Sequence, residues 1–411
     1  MNIKQVDKIL FVLAVVLLAV VLVVRVGFIS GGSIVKEKRV NLVFTQLRES
    51  EWGETAVSSL IEEYERLNPA INIHRQLLSY DEVRNASVET ETAGPDIIVM
   101  EGRYLAEFIK AGTFSSLEPQ LYSEMSLGEW VLPLVSSINV LFYNIDILKA
   151  AGFDRPPRNR MEFLRYAQAV SGSQQYGAAL ALSPADGRAV YRDVFSWIWA
   201  AGAALTSDGE PKFSGKQIND TLAFLAQLDK DGLLAPQSFI ATGSQRIDEF
   251  AAGKIAMIAG SMEDIAKVQK VMKDGSFGIT LIPAPADYAG KPVFGLSTWY
   301  AGIGAKSEYP DEAREFLLYL RENSGAIAEQ IRVLPGSAAA PYITADPFYA
   351  KAWDMYEAAG LVEELTAFPK VRELENAVRE ELEKMFAESR DAVDLNTAAA
   401  NTAAAIQKRW E

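Results

Sequence analysis

The segment from Val135 to Pro157 constrains the fold of this 411-residue chain more than any other. Polar residues lead into the apolar run Val140–Tyr143, a turn follows at Asn144, and a short helical stretch ends at Gly152. A strand that is polar at its entrance and buried along its body is typical of a chain crossing from one lobe to another, where the entrance lines a cleft. The segment therefore predicts a two-lobed binding protein.

Length and composition exclude several functional classes. The chain is too long for one ordinary core, so we expect two domains. The net charge of −14 argues against a nucleic-acid partner, because phosphate binding needs a basic face. The sequence contains no cysteine, which excludes disulfides, thiolate catalysis and cysteine-based metal sites. We expect neither a cofactor nor a bound metal.

The common catalytic motifs are also missing from the sequence. The one histidine, His74, lies in a predicted strand, where a structural or surface role is more frequent than that of a general base. There is no HExxH, Walker A or GxGxxG motif. A glycosidase pair of Glu101 with Glu51 or Asp193 can be imagined, but 54 acidic residues guarantee accidental pairs. We therefore expect a protein that is not an enzyme.

An apolar run, Ile9–Val24, lies near the N-terminus between basic residues. It is short for a membrane span of about 20 residues, and it becomes long enough only if it continues to Ile29 with Arg25 snorkelling. The alternative is a cleavable signal peptide. We expect residues 1–29 to be a signal anchor or signal peptide and residues 30–38 to be a linker. The positive flank predicts that the rest of the chain lies at the periplasmic or extracellular face of the cytoplasmic membrane.

Predicted strands and helices alternate along the remainder of the chain. The first elements follow a β-α-β-β-α order, which indicates a largely parallel sheet with helices on both faces, and the pattern restarts after Val140. Asp311 is expected to cap a helix. Strands are expected at 39–45, 71–77, 96–100, 177–182, 255–259, 277–282 and 301–305.

Six segments together resemble the bacterial extracellular solute-binding proteins of ABC importers, in the branch that includes maltose-binding protein. Any one segment alone is weak evidence for this resemblance, but the order and spacing of all six between Val40 and Glu411 make the set specific for the family. They are SSLIEEYERLNPAINI, GPDIIVMEG, AEFIKAGTFSSLEP, INVLFYNIDILKAAGFDRPP, FAAGKIAMIAG and STWYAGIGAKSEYPDEAREFLLYL.

The resemblance implies an α/β fold of the type II periplasmic-binding-protein class. Two lobes, each a mostly parallel sheet flanked by helices, would be joined by several hinge crossings and would close on a solute. The expected first lobe comprises residues 39–137 and 297–342. The expected second lobe comprises residues 138–296 and 343–411.

The function that this resemblance implies is solute binding without catalysis. A monomeric protein would bind a carbohydrate-like solute, such as a sugar, oligosaccharide or related polyol, and deliver it to the transmembrane subunits of an ABC permease. A membrane-tethered sensing domain for a receptor kinase or chemoreceptor is the alternative, favoured by the N-terminal segment and the missing lipid-attachment cysteine. A carbohydrate lyase or hydrolase on the same scaffold is a third hypothesis.

Four ligand-binding candidates lie at predicted strand ends or crossings. Trp299 occurs where the family places a stacking tryptophan, and sugar sites need aromatic faces together with planar hydrogen-bonding groups, although a tryptophan beside Tyr300 before a buried strand is also typical of a core residue. Glu101 and Gln46 each follow a strand at the carboxyl end, where open α/β sheets bind ligands, although either is equally explained as a solvated loop residue. Ser137 occupies the predicted crossing and is small enough to admit a ligand hydroxyl.

Four further candidates have a structural explanation beside the functional one. Trp52 lies at the start of the first helix, where a hydrophobic staple or cap is the alternative. Tyr191 and Trp197 belong to the region of FSWIWAAGA, whose family counterpart lines the cleft, and one of its two tryptophans is expected to be core. Met262 and Glu375 lie where sugar binders often carry aromatic residues. The absence of an aromatic residue at these two positions disfavours a long maltodextrin as the solute, and a smaller or more polar solute remains compatible with the sequence.

Overall fold

The structure, a computed structural model, covers most of the chain after the predicted linker. The predicted N-terminal anchor or signal peptide lies outside the described residues. Among the described residues, no helix is both long enough and apolar enough to cross a membrane. The described ranges are 39–48, 54–89, 93–118, 129–207, 210–335, 343, 345–359, 361–363, 365, 368–389 and 394–410.

The elements of these ranges alternate between strands and helices. The strands are β1 (Val40–Leu47), β2 (Ile71–Leu78), β3 (Ile97–Glu101), β4 (Leu132–Asn144), β5 (Tyr176–Ala179), β6 (Thr206–Ser207), β7 (Glu210–Pro211), β8 (Ile255–Ser261), β9 (Phe277–Thr280), β10 (Val293–Ile303), β11 (Leu334–Pro335) and β12 (Leu361–Glu363). The helices are α1 (Glu54–Leu67), α2 (Tyr80–Arg84), α3 (Gly102–Lys110), α4 (Ile145–Ala150), α5 (Arg160–Val170), α6 (Ser196–Ala200), α7 (Lys216–Lys230), α8 (Gly243–Ala251), α9 (Glu263–Val271), α10 (Pro310–Glu322), α11 (Ser324–Ile331), α12 (Pro347–Ala358), α13 (Val371–Ser389) and α14 (Leu395–Lys408). Two short π-helical segments are Asn85–Glu89 and Tyr191–Phe195.

The main sheet has the strand order β2-β1-β3-β10-β4-β8-β5, with β9 and β11 also paired to β4 and β12 paired to β10. The pairs β1–β2, β1–β3 and β5–β8 are parallel, as the alternation of strands and helices predicts. Pairing of β10 with β3 and β4, and of β4 with β8 and β9, is antiparallel. The sheet is therefore mixed, because the long crossing strands run against their neighbours.

The two long strands β4 and β10 pair with each other and run through both halves of the molecule. Their register places Ser297 opposite Ser137 and Trp299 opposite Val135, and it shifts immediately after Trp299. Tyr300 then pairs with Pro133, so Leu134 is an extra residue on β4. Proline cannot donate a ladder hydrogen bond and is tolerated at such a bulge.

Three clusters of buried apolar residues divide the molecule into two lobes. The first core packs β1–β3, α1 and α10 against the end of β10, and we call this part the first lobe. The other two clusters lie on either side of β4, and we call the part built on them the second lobe. Leu141 belongs to one of these clusters and Val140 and Phe142 to the other, as alternate strand residues face opposite sides.

Two local predictions fail where the sequence signal is weak. The strand expected at 301–305 is the end of β10, which begins at Val293, because the polar and glycine-containing stretch Gly295–Thr298 hides its first half in the sequence. Asp311 does not cap α10; Tyr309 is the N-cap residue, Pro310 is the first helical residue, and Asp311 lies in the first turn. A carboxylate there still interacts favourably with the helix dipole.

Candidate functional site

A network of buried charged side chains joins the two lobes beside the β4–β10 crossing. Glu101 ends β3, and Arg103, in the first turn of α3, binds it through Nη2 at 3.0 Å. The same guanidinium reaches the second lobe, where Nη1 lies 2.6 Å from Glu375 and donates to the carbonyl of Gly187 at 2.7 Å. These contacts bridge the lobes directly.

Arg188 makes the second bridge of this network. Its Nε lies 3.1 Å from Glu101 of the first lobe, and its Nη1 lies 2.6 Å from Glu263 of the second lobe. Its guanidinium carbon is 5.5 Å from the centroid of the Trp299 ring, a cation–π distance. We call Glu101, Arg103, Arg188, Glu263 and Glu375 the interlobe network.

The carboxylates of the interlobe network respond differently to burial. For Glu101, burial favours the neutral form, but the guanidiniums of Arg103 and Arg188 outweigh it and hold the pKa below its usual value. For Glu375, burial is the larger effect and raises the pKa to about 7 despite the opposing charge of Arg103. Ser297 also donates its hydroxyl to Glu101, which stabilises the charged form.

A second group of charges lies entirely within the second lobe. Arg192 is 3.0 Å from Asp186 and 2.8 Å from Asp193. Asp186 also accepts the amide of Gly243 at 2.7 Å, and Asp264 accepts the amide of Ser261 at 2.9 Å. We call Asp186, Arg192, Asp193 and Asp264 the single-lobe cluster.

Burial dominates the titration of the single-lobe cluster as well. It raises the pKa of Asp193 to about 7 although Arg192 opposes the shift, and it raises the pKa of Asp264. The pKa of Asp186 is lowered, because Arg192 and the amide of Gly243 together outweigh its burial. One arginine therefore does not compensate the three aspartates, of which only Asp193 is fully buried, and Asp193 and Asp264 hold their protons more tightly than usual.

A cavity of about 460 Å³ opens between these two groups. Its wall contains three acidic side chains, Asp186, Glu263 and Asp264, and three basic ones, Arg188, Arg192 and Lys267. Hydroxyl and amide groups and a single aromatic ring complete the lining, including Asn139, Tyr191, Thr242, Ser244, Ser261 and Ser297. Such a wall offers many charge-assisted hydrogen bonds and little aromatic surface.

The structure brings several of the predicted site residues together near this cavity. Tyr191 lines it, and its hydroxyl donates to the carbonyl of Leu296. Glu101 and Trp299 lie behind Arg188, and Trp299 is only 1% exposed. Ser137 is buried opposite Ser297, and its Oγ has no hydrogen-bond partner among the described residues.

The other predicted site residues lie elsewhere. Trp197 packs in the second lobe against the rings of Phe163 and Phe224, and Met262 is fully buried in the apolar cluster below β8. Gln46 is buried in the first lobe, where its Oε1 accepts a hydrogen bond from Arg75 at 3.0 Å. Trp52 lies outside the described residues. Ligand contact by any of the eight candidates stays a prediction.

The two arginines of the interlobe network were not predicted from the sequence. Arg103 and Glu375 are separated by 272 positions, so no spacing pattern connects them. Arg188 follows the strand expected at 177–182, and the rule that selected Glu101 at a strand's carboxyl end, applied to that strand, points to the same loop. Within the described residues, no group of three or more acidic, histidine or cysteine side chains is placed to hold a metal ion.

Comparison with known proteins shows which family the chain belongs to. A binding protein of Brucella abortus is 22% identical over 245 residues, covering 54% of this chain and 58% of the relative. The sn-glycerol-3-phosphate-binding periplasmic protein of Shigella dysenteriae is 26% identical over 246 residues, covering 56% of this chain and 54% of that protein. The chain thus spans little more than half the length of these curated relatives.

A similar solved structure and a family model extend the match. An ABC transporter solute-binding protein from Thermotoga lettingae, bound with alpha-D-tagatose, superimposes with a TM-score of 0.72 at 18% identity, covering 90% of this chain and all of that one. This likeness shows the two-lobed type II periplasmic-binding fold. The family model for bacterial extracellular solute-binding proteins matches residues 50–327. Since that match covers more than half of the chain, this protein belongs to the bacterial extracellular solute-binding protein family.

Proposed function

We propose that the protein is the solute-binding component of an ABC importer and that it binds a carbohydrate-like solute between its lobes. The observation that carries this proposal is the cavity beside the β4–β10 crossing, whose wall of paired charges and hydroxyls suits a polyhydroxylated molecule. The tagatose complex of the Thermotoga protein and the sn-glycerol-3-phosphate binding of the Shigella relative support a small hydroxylated solute.

We propose that the lobes have the limits expected from the sequence, 39–137 with 297–342 and 138–296 with 343–411. Membership of the buried clusters supports these limits, since the first core ends at Val135 and resumes at Trp299. The second lobe's clusters draw on residues between Ile138 and Phe294 and again from Ile343 onward; Leu334 is the exception, since it belongs to the first lobe's range but packs in a second-lobe cluster. Lobe closure about the crossing strands would then enclose the solute.

The family is extracellular, which implies a periplasmic or extracellular location. We propose that residues 1–29 hold the protein at the outer face of the cytoplasmic membrane, where it acts as a monomer. The rims of the closed lobes would then meet the transmembrane subunits of the permease. The basic and apolar pattern of the N-terminal sequence supports the anchor.

A thermal-shift screen followed by calorimetry tests the function. The probes are neutral monosaccharides, polyols, oligosaccharides and sugar phosphates. A true solute at a hundredfold excess over its dissociation constant is expected to stabilise the folded protein by about 2.7 kcal/mol. Absence of any stabilising carbohydrate would contradict the proposal.

Two matched tryptophan variants locate the site. Trp299→Phe removes part of a ring at the crossing, and we expect it to weaken solute binding by about three- to tenfold. Trp353 packs against Tyr356 in α12 and does not line the cavity, so Trp353→Phe is the control and should leave the affinity unchanged. Equal affinities for the two variants would remove Trp299 from the site.

A further inference from the structure

The face of Trp299 is occupied by a side chain of the protein itself. The guanidinium of Arg188 lies over the ring at 5.5 Å, in the place where an aromatic sugar site would hold a pyranose ring. Two carboxylates, one from each lobe, hold this guanidinium in position: Glu101 at 3.1 Å and Glu263 at 2.6 Å. Only 12% of the Arg188 side chain is exposed, so the contact is a fixed part of the site.

The cavity lies on the other side of Arg188 and offers little aromatic surface of its own. Among the described residues, the one ring in its wall belongs to Tyr191. That ring is already engaged, since it packs edge-on against Trp199 at 4.9 Å and carries the Arg103 guanidinium at 5.6 Å. A chain of sugar rings therefore lacks the stacking faces that oligosaccharide sites use.

The charges of the wall balance one another. Three acidic side chains face three basic ones, and most are already paired inside the protein. At the N-terminus of α8, a place where an anion would be favoured, the amide of Gly243 already donates to the carboxylate of Asp186. A phosphate would have to displace this carboxylate, whereas a neutral molecule with several hydroxyls can both donate to the carboxylates and accept from the guanidiniums.

We propose that Arg188 determines the specificity of this site by covering Trp299, so that the site selects a small neutral polyhydroxylated solute, of monosaccharide or hexitol size, over oligosaccharides and phosphorylated solutes. This inference rests on the proposed carbohydrate-binding function and names the solute class of the same cavity. Arg188 contributes one wall of the site through its guanidinium and at the same time closes the space that a second sugar ring would need.

Binding measurements on Arg188 variants test this assignment. The probes are a panel of neutral hexoses and hexitols, a linear glucotriose and sn-glycerol 3-phosphate, each titrated by calorimetry. Wild-type protein should bind a member of the neutral panel and neither of the other two probes. Arg188→Ala should weaken binding of that small solute by about tenfold or more, because a charged hydrogen-bonding wall is lost. It should also strengthen binding of the glucotriose, because the ring of Trp299 is uncovered.

Three further variants make the result decisive. Arg188→Lys keeps a positive charge between Glu101 and Glu263 and is expected to fold; it should weaken small-solute binding without a gain for the glucotriose. The double change Arg188→Ala with Trp299→Leu should lose the gain for the glucotriose. Arg155→Ala removes an arginine paired with Glu162 outside this cavity and should change neither affinity.

The two proposals fail in different ways. Unchanged small-solute affinity in Arg188→Ala and Arg188→Lys, or preferential binding of glycerol 3-phosphate or the glucotriose by the wild type, would overturn the assignment of Arg188 and leave the carbohydrate-binding function standing. A wild-type protein and variants that bind none of the probes would overturn both.

Discussion

The interlobe network and the single-lobe cluster are both groups of carboxylates and guanidiniums, but they differ in whether lobe opening can expose their charges to water. Each contains more carboxylates than guanidiniums: Glu101, Glu263 and Glu375 face two arginines, and three aspartates face Arg192. In each, burial raises the pKa of one carboxyl to about 7. Proton uptake therefore offsets part of the excess negative charge in both groups.

The difference is that one group lies between the lobes and the other inside one lobe. If a charge of the interlobe network loses its partner, opening of the lobes returns it to water. Asp193 of the single-lobe cluster has no such escape, because its side chain is fully buried within the second lobe and does not line the cavity. The same loss of a counter-charge should then appear as a change of shape in one group and as a loss of folding stability in the other.

The largest expected effect comes from breaking the single-lobe cluster. Arg192→Ala leaves Asp186 and Asp193 without their guanidinium, and loss of one partner of a buried ion pair costs about 3–5 kcal/mol. The free energy of unfolding, measured with urea, should fall by that amount. Arg155→Ala is the matched control, because the Arg155–Glu162 pair is partly exposed and such pairs contribute about 1 kcal/mol or less. Similar losses for both variants would contradict the comparison.

Breaking the interlobe network should cost less stability and change the shape. Arg103→Ala removes the bridge to Glu375, but Glu101 keeps Arg188, so we expect a loss of about 1–3 kcal/mol. The ligand-free variant should open, and its radius of gyration in X-ray scattering should exceed that of the wild type. Arg192→Ala should leave the radius of gyration of the folded protein unchanged. A closed Arg103→Ala variant would show that the network does not hold the lobes together.

The smallest effect, counted per carboxyl and per pH unit, is a pH dependence that separates the two groups. The folded protein holds the Glu375 proton more tightly than the unfolded chain, with a pKa of about 7 against an ordinary value of 4.5. Its contribution to stability is therefore complete below about pH 4.5 and is lost as the pH rises through 7. The free energy of unfolding should fall by at most about 1.4 kcal/mol for each pH unit crossed in this window. Asp193 behaves in the same way, from an ordinary value of 3.8.

The neutral variants Glu375→Gln and Asp193→Asn should each remove their part of this slope. X-ray scattering distinguishes the two variants. In the wild type, the lobes should open further above pH 7, which raises the radius of gyration. Glu375→Gln should abolish that increase, whereas Asp193→Asn should not. Unfolding and scattering measured between pH 5 and 8 provide the comparison. A slope that survives both changes would have to come from other groups.

The fold class was predictable because it depends on patterns that repeat over short distances. Buried strands such as β3 and amphipathic helices such as α1 carry their signal within a few residues, and the order of such segments identified the family. The start of β10 was not predictable, since Gly295 and Ser297 weaken its apolar character, and the glycine is required there by the close approach of Trp199.

The site was predictable only where one strand end was enough to define it. The position of Glu101 at the carboxyl end of β3 follows from a general rule for α/β sheets. Arg103 lies only two positions from Glu101, but Arg188 and Glu375 come from two distant parts of the chain, and only the packing of the two lobes brings them to this pair. For the same reason, the sequence does not reveal that Arg188 lies over Trp299.

The bulge in the β4–β10 pair has a mechanical consequence. The extra residue Leu134 and the missing amide hydrogen of Pro133 interrupt the ladder directly beside Trp299, and a bulge concentrates twist and bending at its own position. Flexing of this ribbon therefore turns the indole and tilts the flanking strand segments in one motion. Because Arg188 lies over that indole and also lines the cavity, such a motion would couple the position of Arg188 in the cavity wall to the angle between the lobes.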